Sequence, residues 1–119
     1  MSQPAATNIE QQPDVIIVHV QVERLEEDSS RQLQVDVLAA ASASPQLPVV
    51  VDFAQVSFLP SLSLAALIRL VADFRGRHQR LMLAALRPEV RHVFVLTRLD
   101  RLFELHDDVP AALCAIRPA

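Results

Sequence analysis

Apolar runs rich in aliphatic residues alternate along this chain with segments whose apolar residues recur at helical spacing. That alternation constrains the fold more than any other feature. "DVIIVHVQV" (14–22) and "VVVDFAQV" (49–56) are strongly β-branched, "RLMLAAL" (80–86) is almost wholly aliphatic, and "RLFELH" (101–106) is shorter. Such runs suit strands covered on both faces. Between them, "SSRQLQVDVLAAASA" places Leu33, Val37, Leu38 and Ala41 on one helical face, with Asp28 or Ser29 as the expected cap. From Ser61 onward Leu64, Leu67, Ile68, Val71 and Phe74 recur at helical spacing, with Pro60 before the first turn and Gly76 in a basic last turn. "RPEVRHVFVLTRL" starts at Pro88 and aligns Val90, Val93, Phe94 and Thr97; "DDVPAALCAI", capped by Asp107 or Asp108, closes the chain.

The order β-α-β-α-β-α-β-α predicts an α/β domain. Its sheet should be mixed, of four to five strands and largely parallel, with helices mainly on one side. Residues 1–13 are polar and carry two prolines, so they read as an N-terminal tail or edge strand, with 14–119 as the domain. Leu64, Leu67, Ile68 and Val71 are expected to bury against Val49–Val51.

At 119 residues and 51% apolar, the chain has the size of one domain and enough apolar content for a core. No apolar run reaches membrane-spanning length, and the N-terminus has no basic start or apolar leader segment. A soluble, cytoplasmic protein without membrane insertion is expected. A formal charge of −3 argues against nucleic acid as a partner. Charge is nevertheless uneven. Arg69, Arg75, Arg77, His78, Arg80, Arg87, Arg91, His92, Arg98 and Arg101 crowd the second half, while Glu23, Glu26, Glu27, Asp28 and Asp36 lie in the first. Two solvated faces account for this; a charge-polarised surface for a protein partner is the sharper reading.

Gly76 is the only glycine, which excludes a glycine-rich phosphate loop. Cys114 stands alone, so no internal disulfide or cysteine-built zinc site exists, and a small core residue is expected. His19 lies in a strand among valines; His78, His92 and His106 fall in basic or turn segments. No metal ligand set, cofactor or catalytic group emerges from them. "LPSLSLA" lacks the glycines that a strained nucleophile turn requires.

"FLPSLSLAALIRL" (58–70) remains as the candidate site. A serine at a helix start can be a cap, an anion-binding position or a target for phosphorylation. Composition and spacing leave these open, with the cap reading ahead.

The segment from "VVVDFAQVSFLPSLSLAAL" to "LDRLFEL" resembles the STAS domain, the bacterial anti-anti-sigma factor family. Asp52, Val56, Phe58, Ser61, Leu64, Leu67, Leu99, Asp100, Leu102 and Phe103 carry the resemblance, which runs from about residue 14 to the C-terminus. It implies the STAS fold, no enzymatic activity and no cofactor. It also implies that Ser61 is the phosphorylation position: a serine-kinase-like anti-sigma factor modifies it, and the unmodified form binds that factor and releases sigma. The sequence departs from the pattern at three neighbours. Pro60 stands where the family has aspartate, Leu62 replaces a hydroxyl residue, and Ser63 replaces glycine. A phosphorylation switch at Ser61 would on that account be degenerate. The implied docking surface comprises Pro60, Ser61, Leu62, Ser63, Arg69 and Asp73, with the loop before Asp52. The alternatives are a constitutive subunit of a larger stress-signalling or lipid-transport assembly, and a small-molecule or nucleotide binder. A homodimer is compatible with each.

Overall fold

The computed structural model describes residues 6–117. Five strands form one sheet in the order β1-β2-β3-β4-β5: β1 Thr7–Gln12, β2 Val15–Val20, β3 Val49–Asp52, β4 Leu81–Ala84 and β5 Glu104–His106. β1 pairs antiparallel with β2, and every other pairing is parallel. β1 is an edge strand six residues long; residues 1–5 of the segment read as a tail or edge strand lie outside the described residues. The helices are α1 Glu27–Ala43, α2 Ser61–Gly76, α3 Pro88–Leu96 and α4 Val109–Ile116, with a 3₁₀ turn at Leu99–Arg101.

Strand residues alternate between two cores. Ile16, Val18, Val20, Val49, Val51, Leu81 and Leu83 pack beneath α1, α2 and α3 with Leu33, Val37, Leu67, Leu70, Phe74, Val90 and Phe94. Val15, Ile17, Val50, Met82 and Ala84 face the other way, where α4 covers them with Ala112. The central strands are buried on both faces, which is why they read as continuous apolar runs.

Several local expectations are corrected. α1 is capped by Glu26, not by Asp28 or Ser29, because Ser29 Oγ instead accepts the Glu26 N–H from inside the first turn (2.9 Å). The run 101–106 is a strand only from Glu104, since Leu99–Arg101 closes a 3₁₀ turn first. Gly76 ends α2 without a positive φ; His78 takes the left-handed position at φ 57°. Thr97 lies beyond α3 and is exposed, its Oγ1 donating to the Val93 carbonyl (2.7 Å). Ile68 is 38% exposed while Leu64, Leu67 and Val71 are buried with Val49 and Val51, because Ile68 falls on the solvent side of their stripe. Cys114 is exposed rather than a core residue, since Ala112 supplies the buried contact of the short α4. Asp108 caps α4 as expected, accepting the Ala111 N–H (2.8 Å).

Candidate functional site

β3 ends at Asp52, whose Oδ1 accepts the Ala54 N–H (2.9 Å) and turns the chain into the loop 53–60. Phe53, Val56 and Leu59 bury their side chains and fix that loop on the core. It is also laced to the segment between β2 and α1. The Ser57 and Phe58 N–H groups donate to the Glu23 carbonyl (2.8 and 3.2 Å), and the Leu25 N–H donates back to the Phe58 carbonyl (3.0 Å). The two loops so form one short parallel ribbon, with Arg24 bridged to Phe58.

Pro60 is the N-cap of α2 (φ −73°, ψ 165°) and supplies no side-chain cap. Its carbonyl accepts the Ser63 and Leu64 N–H groups (3.0 and 3.2 Å). Ser61 is thus the first helical residue, exposed, and not the cap that its residue type suggested. The Ser61 and Leu62 N–H groups precede the first intrahelical bonds, and the positive end of the helix dipole lies at this turn. No acidic residue stands in that turn. Leu62 beside it is 52% exposed and Phe58 is 40% exposed. The Arg24 guanidinium lies 4.1 Å from the Phe58 ring centroid, a cation–π contact, and also bonds Glu26 (2.7 Å).

Ser63 behaves differently from its neighbours. It is fully buried, and its hydroxyl donates to the Leu25 carbonyl. The expectation that Ser63 belongs to the docking surface is corrected on that ground: it is an internal tie between the two loops and α2. The loop before Asp52 is corrected as well. Pro48 precedes Val49 at the far end of β3, roughly 13 Å away by strand rise; the loop after Asp52 adjoins Ser61 instead.

Arg69 follows Leu62 and Ala66 down one side of α2. These three, with Glu27, Ser30, Arg31 and Gln34 of α1, line a shallow groove of about 100 Å³. Asp73 is exposed one turn further along. The structure therefore brings together Pro60, Ser61, Leu62 and Arg69, adds Phe58, Arg24 and the first turns of α1, and removes Ser63. Phe58 was legible in the sequence as a residue of the pattern leading into Pro60. The contribution of Arg24 and α1 was not, since only the pairing of the two loops brings them there.

His19 has partners that its sequence setting did not suggest. On the α4 side of the sheet its Nδ1 lies 2.7 Å from Asp52 Oδ2 and its Nε2 3.0 Å from Glu10 Oε1. Burial pushes the imidazole pKa down, but the two carboxylates together outweigh it and hold the His19 pKa above its ordinary value. Hydrogen bonding to His19 in turn lowers the Glu10 carboxyl. Further along the same face Arg80 pairs with Glu104, which also bonds His106 (2.9 Å). Among the described residues no group of three or more histidine, cysteine or acidic side chains is arranged to hold a metal ion. Among the same residues no helix is long and apolar enough to cross a membrane.

The profile of the STAS domain matches residues 6–112. An anti-sigma factor antagonist from Mycobacterium paratuberculosis superposes with a TM-score of 0.80 at 28% identity, over 99% of this chain and 100% of that one. The anti-sigma factor antagonist SpoIIAA in its unphosphorylated form gives 0.77 at 17% identity, over 94% and 96% of the two chains; SpoIIAA of Bacillus is also known in a phosphorylated form. The murine anion transporter Slc26a9 gives 0.77 at 15% identity, over 90% of this chain but 18% of the transporter, where the fold is one part of a larger chain.

Proposed function

The chain belongs to the STAS domain family, and we propose that it is a regulatory protein–protein interaction module: an anti-sigma factor antagonist, without catalysis of its own, that docks its partner through the start of α2. The observation that carries this reading is the placement of Ser61. Its side chain is exposed at the first helical position, between Phe58 and Leu62, on a frame tied down by Ser63 and the loop pairing.

The physical chemistry of docking and release follows from that arrangement. In the unmodified protein, Phe58 and Leu62 offer apolar surface, worth roughly 25 cal/mol for each Å² removed from water, and Arg24 and Arg69 frame it. A phosphate on Ser61 would add a charge of about −1.5 to −2. The N–H groups at the helix start and the positive end of its dipole would accommodate that charge, so the fold survives. The same charge would have to be desolvated between Phe58 and Leu62 whenever an apolar partner surface closed over them, and the partner would leave. Pro60, at the position that the family pattern gives to an aspartate, lacks an acceptor and a charge that a kinase would read. It weakens recognition of the hydroxyl without hiding it, and the switch is degenerate in that sense.

A serine-kinase-like anti-sigma factor titrated with the parent protein and with Leu62→Glu tests the docking surface. Binding should be lost in the variant while its thermal stability is kept; equal binding of the two rules the surface out. Ser61→Asp and Ser61→Ala, with intact-mass analysis of native protein, then separate the two kinds of switch. Equal binding of both and no phosphate mark a degenerate switch. A phosphorylated fraction with weakened binding, mimicked by Ser61→Asp, marks a working one.

The departures at Pro60 and Leu62 also favour a second reading, a constitutive subunit of a larger assembly. It predicts a stable stoichiometric complex indifferent to any change at Ser61. The small-ligand reading has less support, because the groove beside Ser61 is well below the roughly 300–1,000 Å³ of ordinary ligand pockets.

A further inference from the structure

α3 buries Val90 and Phe94 on its inner face; its outer face is polar through Glu89, Arg91 and His92 until the last turn, where Val95 and Leu96 are 51% and 69% exposed. The exposed pair lies at the opposite end of the molecule from Ser61. α3 begins beside the loop after β3, since Arg87 Nε donates to the Ala54 carbonyl (2.9 Å), and it runs back about 13 Å over its length.

At that far end the chain turns through Arg98, at φ 60°, into the 3₁₀ turn. Leu99 and Leu102 are half-buried against the core, and Phe103 packs edge-on against Phe94, ring centroids 5.4 Å apart. With the apolar members of "LDRLF" turned inward, Arg98 and Arg101 are left exposed. Neither enters an ion pair among the described residues. Arg75, at the end of α2, adjoins them and donates to the Leu102 carbonyl (3.2 Å). Residues 87–101 hold four arginines against two carboxylates in a chain whose formal charge is −3.

We infer that Val95 and Leu96, rimmed by Arg98 and Arg101, form a second docking surface, and that its occupant is an acidic amphipathic segment of a partner protein. Apolar side chains of that segment would cover Val95 and Leu96 while its carboxylates meet the two guanidiniums. Complementarity of this kind sets orientation and encounter rate. An anionic membrane fits less well: the apolar footprint is two side chains on one turn, and the chain as a whole carries the same sign as the lipid. This surface stands independently of the one at Ser61.

The test uses the isotope-labelled full chain, titrated in NMR with a synthetic helical peptide bearing leucines on one face and glutamates on its flanks. A lysine-flanked counterpart and phosphatidylglycerol vesicles are run beside it. The amides of Val95, Leu96, Arg98 and Arg101 should shift with the acidic peptide, with affinity falling as salt rises. The lysine peptide should bind at least about tenfold more weakly. Leu96→Gln, and separately Arg98→Glu with Arg101→Glu, should each remove the shifts with the melting temperature unchanged. Shifts confined to the Ser61 end, equal binding of both peptides, or binding retained in the variants would overturn the inference. So would a response to vesicles alone, or shifts at these amides that follow protein concentration, which would mark a second copy as the occupant.

Discussion

The two faces of the sheet are built from alternate residues of the same strands, and they close differently. Beneath α1, α2 and α3, Val49, Val51 and their neighbours meet long apolar helix faces, and the core there joins side chains from every helix on that side. On the other face α4 is eight residues long and covers Val15, Ile17, Val50, Met82 and Ala84. Around its edges the sheet surface turns polar, with Glu10, His19 and Asp52 in one cluster and Arg80, Glu104 and His106 in another. A helix long enough to seal a face lets the strands be apolar throughout. A short one leaves positions where side chains must satisfy one another's hydrogen bonds at the edge of solvent.

The comparison breaks if truncations on the two faces cost the same. Leu67→Ala, beneath the three helices, should destabilise by about 2–5 kcal/mol in denaturant unfolding, the range for a core leucine. Met82→Ala, beneath α4, should cost roughly 2 kcal/mol, at the low end of that range, because a short helix can settle into the gap. A Met82→Ala loss as large as that of Leu67→Ala would show the α4 side to be as tightly closed as the other.

Ser63→Ala probes how the large core is tied to the docking end. It leaves the buried Leu25 carbonyl without its donor, at a cost of about 1–3 kcal/mol. Hydrogen exchange should rise in the segment 23–26 and the loop 53–60 more than elsewhere. Uniform exchange would mean that the ribbon, not the serine, holds the loops.

The smallest effect is expected at His19 and depends on pH. Its pKa is raised in the folded state, so its contribution to stability is complete below the unfolded value of about 6.5. It fades as pH rises through the folded value. At the acid end the Glu10 carboxyl, lowered by the same contact, loses its contribution as pH falls through its own folded value. The melting-temperature difference between parent and His19→Gln should therefore be greatest between about pH 5 and 6.5 and shrink toward higher pH. A difference independent of pH would mean that packing, not the paired charge, is what the histidine supplies.

Strands and helices were legible because each carries its own pattern. The Val49–Asp52 run, the Leu64, Leu67 and Val71 stripe and the Asp108 cap all depend on residues close in sequence. Where the reading failed, the deciding neighbour lay elsewhere in the chain. His19 looked like an incidental strand histidine until the register placed Asp52 directly beside it. Cys114 looked buried by type, but α4 presses Ala112 into the sheet and turns Cys114 outward. The α1 cap was missed for a local reason, since Glu26 is an uncommon cap and its partner Ser29 works from inside the helix.

Ser61 and Ser63 divide the matter most sharply. The sequence by itself determined that two hydroxyls stand at the start of an apolar helix after a proline, because proline position and helical spacing are local properties. Tertiary structure alone decided that one faces solvent and the other is sealed. In an α-helix two residues apart means about 200° of rotation, so the two serines point in nearly opposite directions. Which of them meets protein depends on where the Leu25 carbonyl comes to rest, and that is set by loops more than thirty residues apart in the chain.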